Sequence, residues 1–210
     1  LTFNALGQSY QSLNEYPIAL DKYDKALRIF QDIGSIEGAA VSLYQMAMVH
    51  NLTDHPELAL EYFQRCLSLS RSAGKIRTEA NALREIAKVY AAQGRQKQAL
   101  AQYERVHRFY ETIGDPRGQA QTLNAHGELL SKLGEKEAAI QLFERSLPFG
   151  EKAGEPGILI NTLYDLAITN RDLGALQVAL SFVQRSLKTI EELRANVESP
   201  DFRVSYLSGV

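Results

Sequence analysis

One period governs this chain: residues forty positions apart match from end to end. Small residues stand at Gly7, Ala47, Ala87, Gly127 and Ala167, and an alanine recurs at Ala19, Ala59, Ala99, Ala139 and Ala179. Turn-compatible residues stand at Asn14, Asp54, Gly94, Gly134 and Gly174, and a second glycine series at Gly34, Gly74, Gly114 and Gly154. A fixed period of roughly 20–50 residues marks a solenoid of stacked supersecondary units, each unable to bury its apolar face alone. Such an array is a binding scaffold far more readily than an enzyme.

The third copy shows what one unit is. Ala82, Leu83, Ile86, Ala87, Val89 and Tyr90 are spaced at three and four, which marks one apolar helical face. Gly94 supplies a left-handed residue that ends that helix. A second stripe follows through Ala99, Leu100, Tyr103, Val106 and Tyr110, and Gly114 with Asp115-Pro116 stops it. Each copy therefore reads as a hairpin of two helices of about 15 residues with short loops. The small residues let helices approach to about 8 Å. Tyr23, Phe63, Tyr103, Phe143 and Val183 are the expected knobs that fill the space left. The predicted units are 1–36, 37–76, 77–116, 117–156 and 157–197, with 198–210 as a trailing segment.

Two places depart from the pattern. His126 takes the slot of Leu6 and Ile86, and Pro148 falls inside a second helix where the other copies have Arg28, Ser68, Arg108 and Lys188. A kink is expected at Pro148, because proline removes one backbone bond and clashes with the preceding turn.

Composition narrows function. Charge is nearly balanced, with 23 Lys+Arg against 25 Asp+Glu, and no basic stripe of the kind a nucleic-acid binder uses is present. No apolar run approaches the roughly 18 residues of a membrane span, and no leader pattern opens the chain. The single cysteine, Cys66, excludes an internal disulfide framework and suits a reducing, cytoplasmic setting. Cys66 sits where other copies have Ala26, Val106, Ser146 and Ser186, so it reads as a packing residue. The four histidines lack metal-ligand spacing, and no phosphate loop, nucleophile elbow or zinc-protease motif occurs. No catalytic residue, metal or cofactor is expected.

At this point the chain resembles the tetratricopeptide repeat family. The first copy carries its pattern as Phe3, Leu6, Gly7, Tyr10, Ala19, Tyr23 and Ala26, and the third as Leu83, Ile86, Ala87, Tyr90, Ala99, Tyr103 and Val106. The resemblance covers residues 1–197 and departs in length, since the family's repeat is shorter. It implies an all-α, right-handed superhelix of five helix-turn-helix repeats, an α-solenoid. The first helices of the pairs would line a concave groove that receives a protein or peptide segment. Carried over by register, the groove residues are Asn4, Tyr44, Arg84, Asn124 and Tyr164. One turn on come Gln8, Met48, Lys88, Glu128 and Ile168, then Gln11, Asn51, Ala91, Ser131 and Arg171. Amides such as Asn4 and Asn124 suit a peptide backbone, and Arg84 with Lys88 suits a carboxylate. A solvated inner surface with no single ligand is the other reading of the same row.

The end of the chain is similar to the junction in bacterial CHAT proteins, where such repeats precede a caspase-like protease domain. The residues concerned are Glu192-Leu193-Arg194 and Ser199-Pro200-Asp201-Phe202-Arg203-Val204-Ser205-Tyr206. The chain opens on Leu1 inside a repeat and is expected to be part of something longer. The resemblance implies a partner-binding or regulatory module for an intramolecular C-terminal protease. A free-standing adaptor or peptide sensor, and self-association through end repeats, are the alternatives.

Overall fold

A computed structural model describes residues 2–198, and in them every regular element is an α-helix. The chain divides into two compact units, Leu1–Ile113 and Gly114–Val210. The first holds α1 (Phe3–Ser12), α2 (Tyr16–Asp32), α3 (Ile36–Leu52), α4 (Pro56–Ser72), α5 (Ile76–Ala92) and α6 (Gln96–Thr112). The second holds α7 (Pro116–Lys132), α8 (Lys136–Ala153), α9 (Pro156–Asp172) and α10 (Leu176–Glu198). The helices pair as hairpins, α1 with α2, α3 with α4, α5 with α6, α7 with α8 and α9 with α10. Within the first unit α2 also packs on α3 and α4 on α5, and within the second α8 packs on α9. This is the architecture of an α-solenoid built from helical repeats.

Local chemistry sets the boundaries. Asn14, Asp54, Gly94, Gly134 and Gly174 all take positive φ, as do Gly34, Gly74, Gly114 and Gly154. The left-handed residue at the end of each first helix lets the next N–H return five residues. Glu15 bonds the Tyr10 carbonyl at 2.9 Å, Arg95 that of Tyr90 at 2.9 Å, and Ala175 that of Asn170 at 2.9 Å. Helix starts use side-chain caps at Ser35 and Asp115, whose oxygens accept from the Gly38 and Gly118 N–H groups. Prolines at Pro56, Pro116 and Pro156 open α4, α7 and α9, where the missing donor costs nothing.

The core follows the predicted registers. Ala19, Ala59, Ala99 and Ala139 are fully buried, and Tyr23, Phe63, Tyr103 and Phe143 fill the space beside them. The small residues of the first helices are what admit those rings. A Cβ built on Gly7 would meet the Tyr23 ring at 2.5 Å, and one on Gly127 the Phe143 ring at 2.6 Å. Cys66 is fully buried against Ser70, and burial pushes its thiol up to about 11.

Some expectations change. Most helices run 17 residues rather than about 15. The irregularity at Pro148 does not end its helix, and α8 extends to Ala153. Pro148 and Glu144, whose carbonyl loses its donor, are both exposed, so water can serve that group. Val183 is 41% exposed rather than a core knob, because no described helix packs beyond α10. His126 is half-buried.

Candidate functional site

The first row of expected groove residues turns out to be largely committed to the fold. Asn124 is only 7% exposed, and its Nδ2 donates to Thr162 Oγ1 at 2.6 Å, joining α7 to α9. Thr162 gives its own O–H to the Ile158 carbonyl at 2.9 Å, so its oxygen can only accept from Asn124. That fixes the amide and leaves Asn124 Oδ1 buried with no partner among the described residues. In the other unit an amide and a hydroxyl pair in the opposite sense: Ser42 Oγ donates to Asn4 Oδ1 at 3.0 Å, tying α1 to α3. Both pairs span 38 residues. Both amides link successive first helices, Asn124 with its NH2 and Asn4 with its oxygen.

Arg84 is likewise turned inward at 7% exposure. Its Nε donates to Glu85 Oε1 at 3.3 Å and its Nη1 to the Tyr110 hydroxyl at 3.3 Å. Tyr110 in turn donates to Asn81 Oδ1 at 2.6 Å. Lys88 reaches the same Glu85 oxygen from outside at 3.2 Å. The expected cationic pair is therefore neutralised in part by a buried carboxylate that register reasoning passed over. Tyr44 is half-buried, its ring edge-on to Phe63 at 5.5 Å, and burial raises its phenol above the ordinary range.

The remaining candidates face outward to different degrees. Gln8, Lys88 and Glu128 are exposed, and Met48 and Ile168 half-exposed. Gln11, Asn51, Ala91 and Ser131 are half-buried. Tyr164 is 60% exposed, the most open aromatic of the row. Arg171 is exposed with its guanidinium on Asp172 Oδ1 at 2.8 Å.

One concavity involves several of these residues. A hollow of about 600 Å³ lies between α1, the α1–α2 turn and α3 in the first unit, lined by Gln8, Gln11, Ser12, Asn14, Tyr16, Gln45 and Leu52. Its size is that of a ligand cleft, about 300–1,000 Å³, but its walls are mainly uncharged and polar. Tyr23, buried beneath, donates its hydroxyl to Gln11 Oε1 at 2.8 Å. Tyr16 donates to Asn14 Oδ1 at 2.9 Å.

In the second unit the notable group is Asp165, which the groove rows also missed. Burial, and then the like charge of Glu128, raise its carboxyl to about 6, against a smaller pull from Lys132. The signal for both missed acids was their shared register, since Glu85 and Asp165 stand where other copies have Ala5, Gln45 and Ala125.

His50 stacks on Tyr62 at 5.1 Å and lies 6.3 Å from His55; burial, then His55, hold its imidazole below the ordinary value. Among the described residues no group of three or more His, Cys, Asp or Glu side chains could hold a metal ion. None of their helices is long and apolar enough to cross a membrane.

Comparison with solved structures shows the same fold at low identity. BtubC (BKLC) from P. vanneervenii is 17% identical, with a TM-score of 0.76 over 91% of this chain and 80% of that one. A Rap protein complexed with competence and sporulation factor is 16% identical, with a TM-score of 0.79 over 93% of this chain and 55% of that one. The quorum sensor NprR from B. thuringiensis, in its apo form, is 19% identical, with a TM-score of 0.72 over 96% and 55%. The chain thus spans a little over half the length of the last two. No curated protein matches the sequence. The family model for the tetratricopeptide repeat matches residues 1–72, 38–112, 78–152 and 119–192. Those overlapping matches cover nearly the whole chain, which belongs to the tetratricopeptide repeat family.

Proposed function

We propose that this chain is a protein-interaction module whose first helices receive a polypeptide segment. One observation carries the reading: one turn beyond the inward row, Gln8, Met48 and Lys88 on α1, α3 and α5 keep an accessible face, and Gln8 also lines a hollow of ligand size. Tyr164 and Ile168 offer the second unit's accessible contacts. Structures of like fold include a complex with competence and sporulation factor and a quorum sensor, which fits a scaffold that works by receiving a ligand.

The test is affinity capture from the native cell extract with the whole chain, beside Lys88→Ala and Tyr164→Ala variants shown folded by circular dichroism. A partner kept by the wild type and lost by a variant is the expected result. A partner kept by all three moves the working surface off the first helices. Arg84 is unsuited to this test, because its guanidinium supports Glu85 and Tyr110.

The finer reading, regulation of a caspase-like CHAT domain, rests on Ser199–Tyr206, which lie outside the described residues. Its check is whether Lys88→Ala or Tyr164→Ala alters proteolysis by a CHAT domain joined to this chain.

Self-association has its own support. Leu176, Leu180, Val183, Leu187 and Ile190 form an exposed stripe along α10, at the alternating spacing of four and three that suits helix pairing. Light scattering over a concentration series tests it. A mass that stays monomeric removes this reading.

A further inference from the structure

His50 and His55 are brought together by a turn and not by a helix face. Residues five apart on one continuous helix point about 140° away from each other. Here α3 ends between them: Asp54 takes a left-handed φ of 58°, and the His55 N–H returns to the His50 carbonyl at 2.9 Å. Pro56 opens α4 directly afterwards and restricts the His55 backbone. The next copy shows the same approach of side chains, since the Arg95 guanidinium lies over the Tyr90 ring at 4.1 Å. The other copies have Tyr10 with Glu15, Leu130 with Glu135 and Asn170 with Ala175 in these places. Two imidazoles therefore face each other at this turn alone among the five, with ring centres 6.3 Å apart.

The surroundings prepare both rings as ligands. Thr53 Oγ1 lies 3.0 Å from the Val49 carbonyl oxygen and 3.3 Å from that of His50. Only the hydroxyl proton can serve those acceptors, so at 3.1 Å it is His55 Nδ1–H that donates to Thr53 Oγ1. That assigns His55 the tautomer whose Nε2 lone pair is free. A metal-bound imidazole gives its other N–H to an oxygen in just this way. His50 is half-buried and stacked on Tyr62 at 5.1 Å, and neither of its ring nitrogens has a hydrogen-bond partner among the described residues. Burial, then His55, hold its imidazole below the ordinary value, so near neutrality it keeps a free lone pair. Glu61, whose charge reaches His50, and Asp54 in the turn favour a cation here, against Arg65 over the Tyr62 ring.

We propose that His50 and His55 form a site for one divalent transition-metal ion of the zinc and copper class, held by two imidazole nitrogens with its other positions open to water. Among the described residues no group of three His, Cys, Asp or Glu side chains could share it, so the ion stays incompletely wrapped by the chain. Imidazole selects such ions over calcium and magnesium, which take oxygen ligands. Nitrogens bind at about 2.0–2.1 Å, which puts two ring centres on the order of 5 Å apart at a tetrahedral ion. The rings need to close by about 1 Å to reach that geometry, a movement open to His55 because its side chain is exposed. The site uses none of the residues offered for polypeptide binding. Its five-residue spacing hides it from a search for ligands one helical turn apart.

The test is calorimetric titration of the whole chain, carrying no affinity tag and stripped with chelator, with Zn2+, Cu2+, Ni2+, Ca2+ and Mg2+ salts at neutral pH. One transition-metal ion per chain is expected, with Cu2+ bound more tightly than Ni2+ or Zn2+. Ca2+ and Mg2+ should give no saturable binding. In 15N spectra Zn2+ should shift the ring nitrogens of His50 and His55 and leave those of His107 and His126 in place. His55→Gln, on an exposed side chain, and His50→Gln should each lower Zn2+ affinity by more than about tenfold. Thr53→Val keeps both imidazoles but removes the oxygen that orients His55, and should weaken binding by about tenfold. Circular dichroism checks that each variant is folded. Absence of saturable Zn2+ binding overturns the proposal. So does binding unchanged in His55→Gln, a shift confined to His107 or His126, or Ca2+ bound as tightly as Zn2+, which would place the ion on carboxylates instead.

Discussion

Glu85 and Asp165 occupy one position in two first helices, eighty residues apart, and meet opposite surroundings. Glu85, in the unit Leu1–Ile113, is preceded by Arg84 and followed a turn later by Lys88, and both cations reach its Oε1. Asp165, in the unit Gly114–Val210, has Tyr164 and Ile168 in those places, and its charged neighbours are Glu128 and the more weakly felt Lys132. The backbone position is the same. What differs is whether the helix brings its own counter-charge at the adjacent and the i+3 positions, and that decides whether a shielded acid supports its unit or opposes it.

The sharpest way to break this comparison is to remove Glu85. Arg84 and Glu85 side chains are 9% and 6% exposed, so Glu85→Leu leaves a guanidinium shielded from water without its carboxylate. Loss of one partner of a buried pair costs about 3–5 kcal/mol, and urea unfolding should show a loss of that order. Adding Arg84→Met should recover most of it, because a well-packed apolar pair is often as stable as the ion pair it replaces. A second test compares Gly7 and Gly127, both pressed against a ring of the next helix. Gly127→Val should cost about 1–3 kcal/mol by overpacking. Gly7→Val should cost less, since α1 packs mainly on α2 and can tilt, whereas α7 is held by both α8 and α9.

Much of this was legible in the sequence. The forty-residue period carried the hairpins, the left-handed turn residues and the alanine and aromatic registers of the core. The direction of the Arg84 and Asn124 side chains was not. That row lies at the seam between successive first helices, where a side chain turns inward only if it finds a partner 38 residues on or on its own hairpin. Ser42 and Thr162 supply such partners, and for Arg84 the partners are Glu85 and Tyr110. A search for hydroxyls 38 residues after each amide would have found two of them. Val183 failed for another reason: its register is right, but burial there needs a following helix.

The amide–hydroxyl link itself separates the units on a smaller scale. Thr162→Val removes the acceptor for Asn124 Nδ2 and leaves both ends of a buried amide unpartnered. The expected loss is about 1–2 kcal/mol, with a coupling in the double-mutant cycle with Asn124→Leu. Ser42→Ala should cost less, because Asn4 is only half-buried and water can replace the hydroxyl.

The smallest expected effect has the opposite sign and depends on pH. Asp165 titrates at about 6 in the folded chain against 3.8 for the ordinary side chain. Between those values the unfolded chain releases the proton while the folded one keeps it, so stability falls as pH rises from about 4 to about 6 and is flat beyond. Asp165→Asn cannot ionise and escapes that fall. The variant should therefore match the wild type near pH 4 and exceed it at pH 7, by on the order of 1 kcal/mol once partial exposure is allowed for. Thermal melts at the two pH values check this. Glu128→Gln should give part of the same gain, since Glu128 is the second cause of the shift after burial. A gain at pH 7 from Asp165→Asn beside a loss from Glu85→Leu would show that the sign follows the counter-charge and not the position. Equal losses from both would mean that Asp165 has a partner equivalent to Arg84, and the contrast between the units would fail.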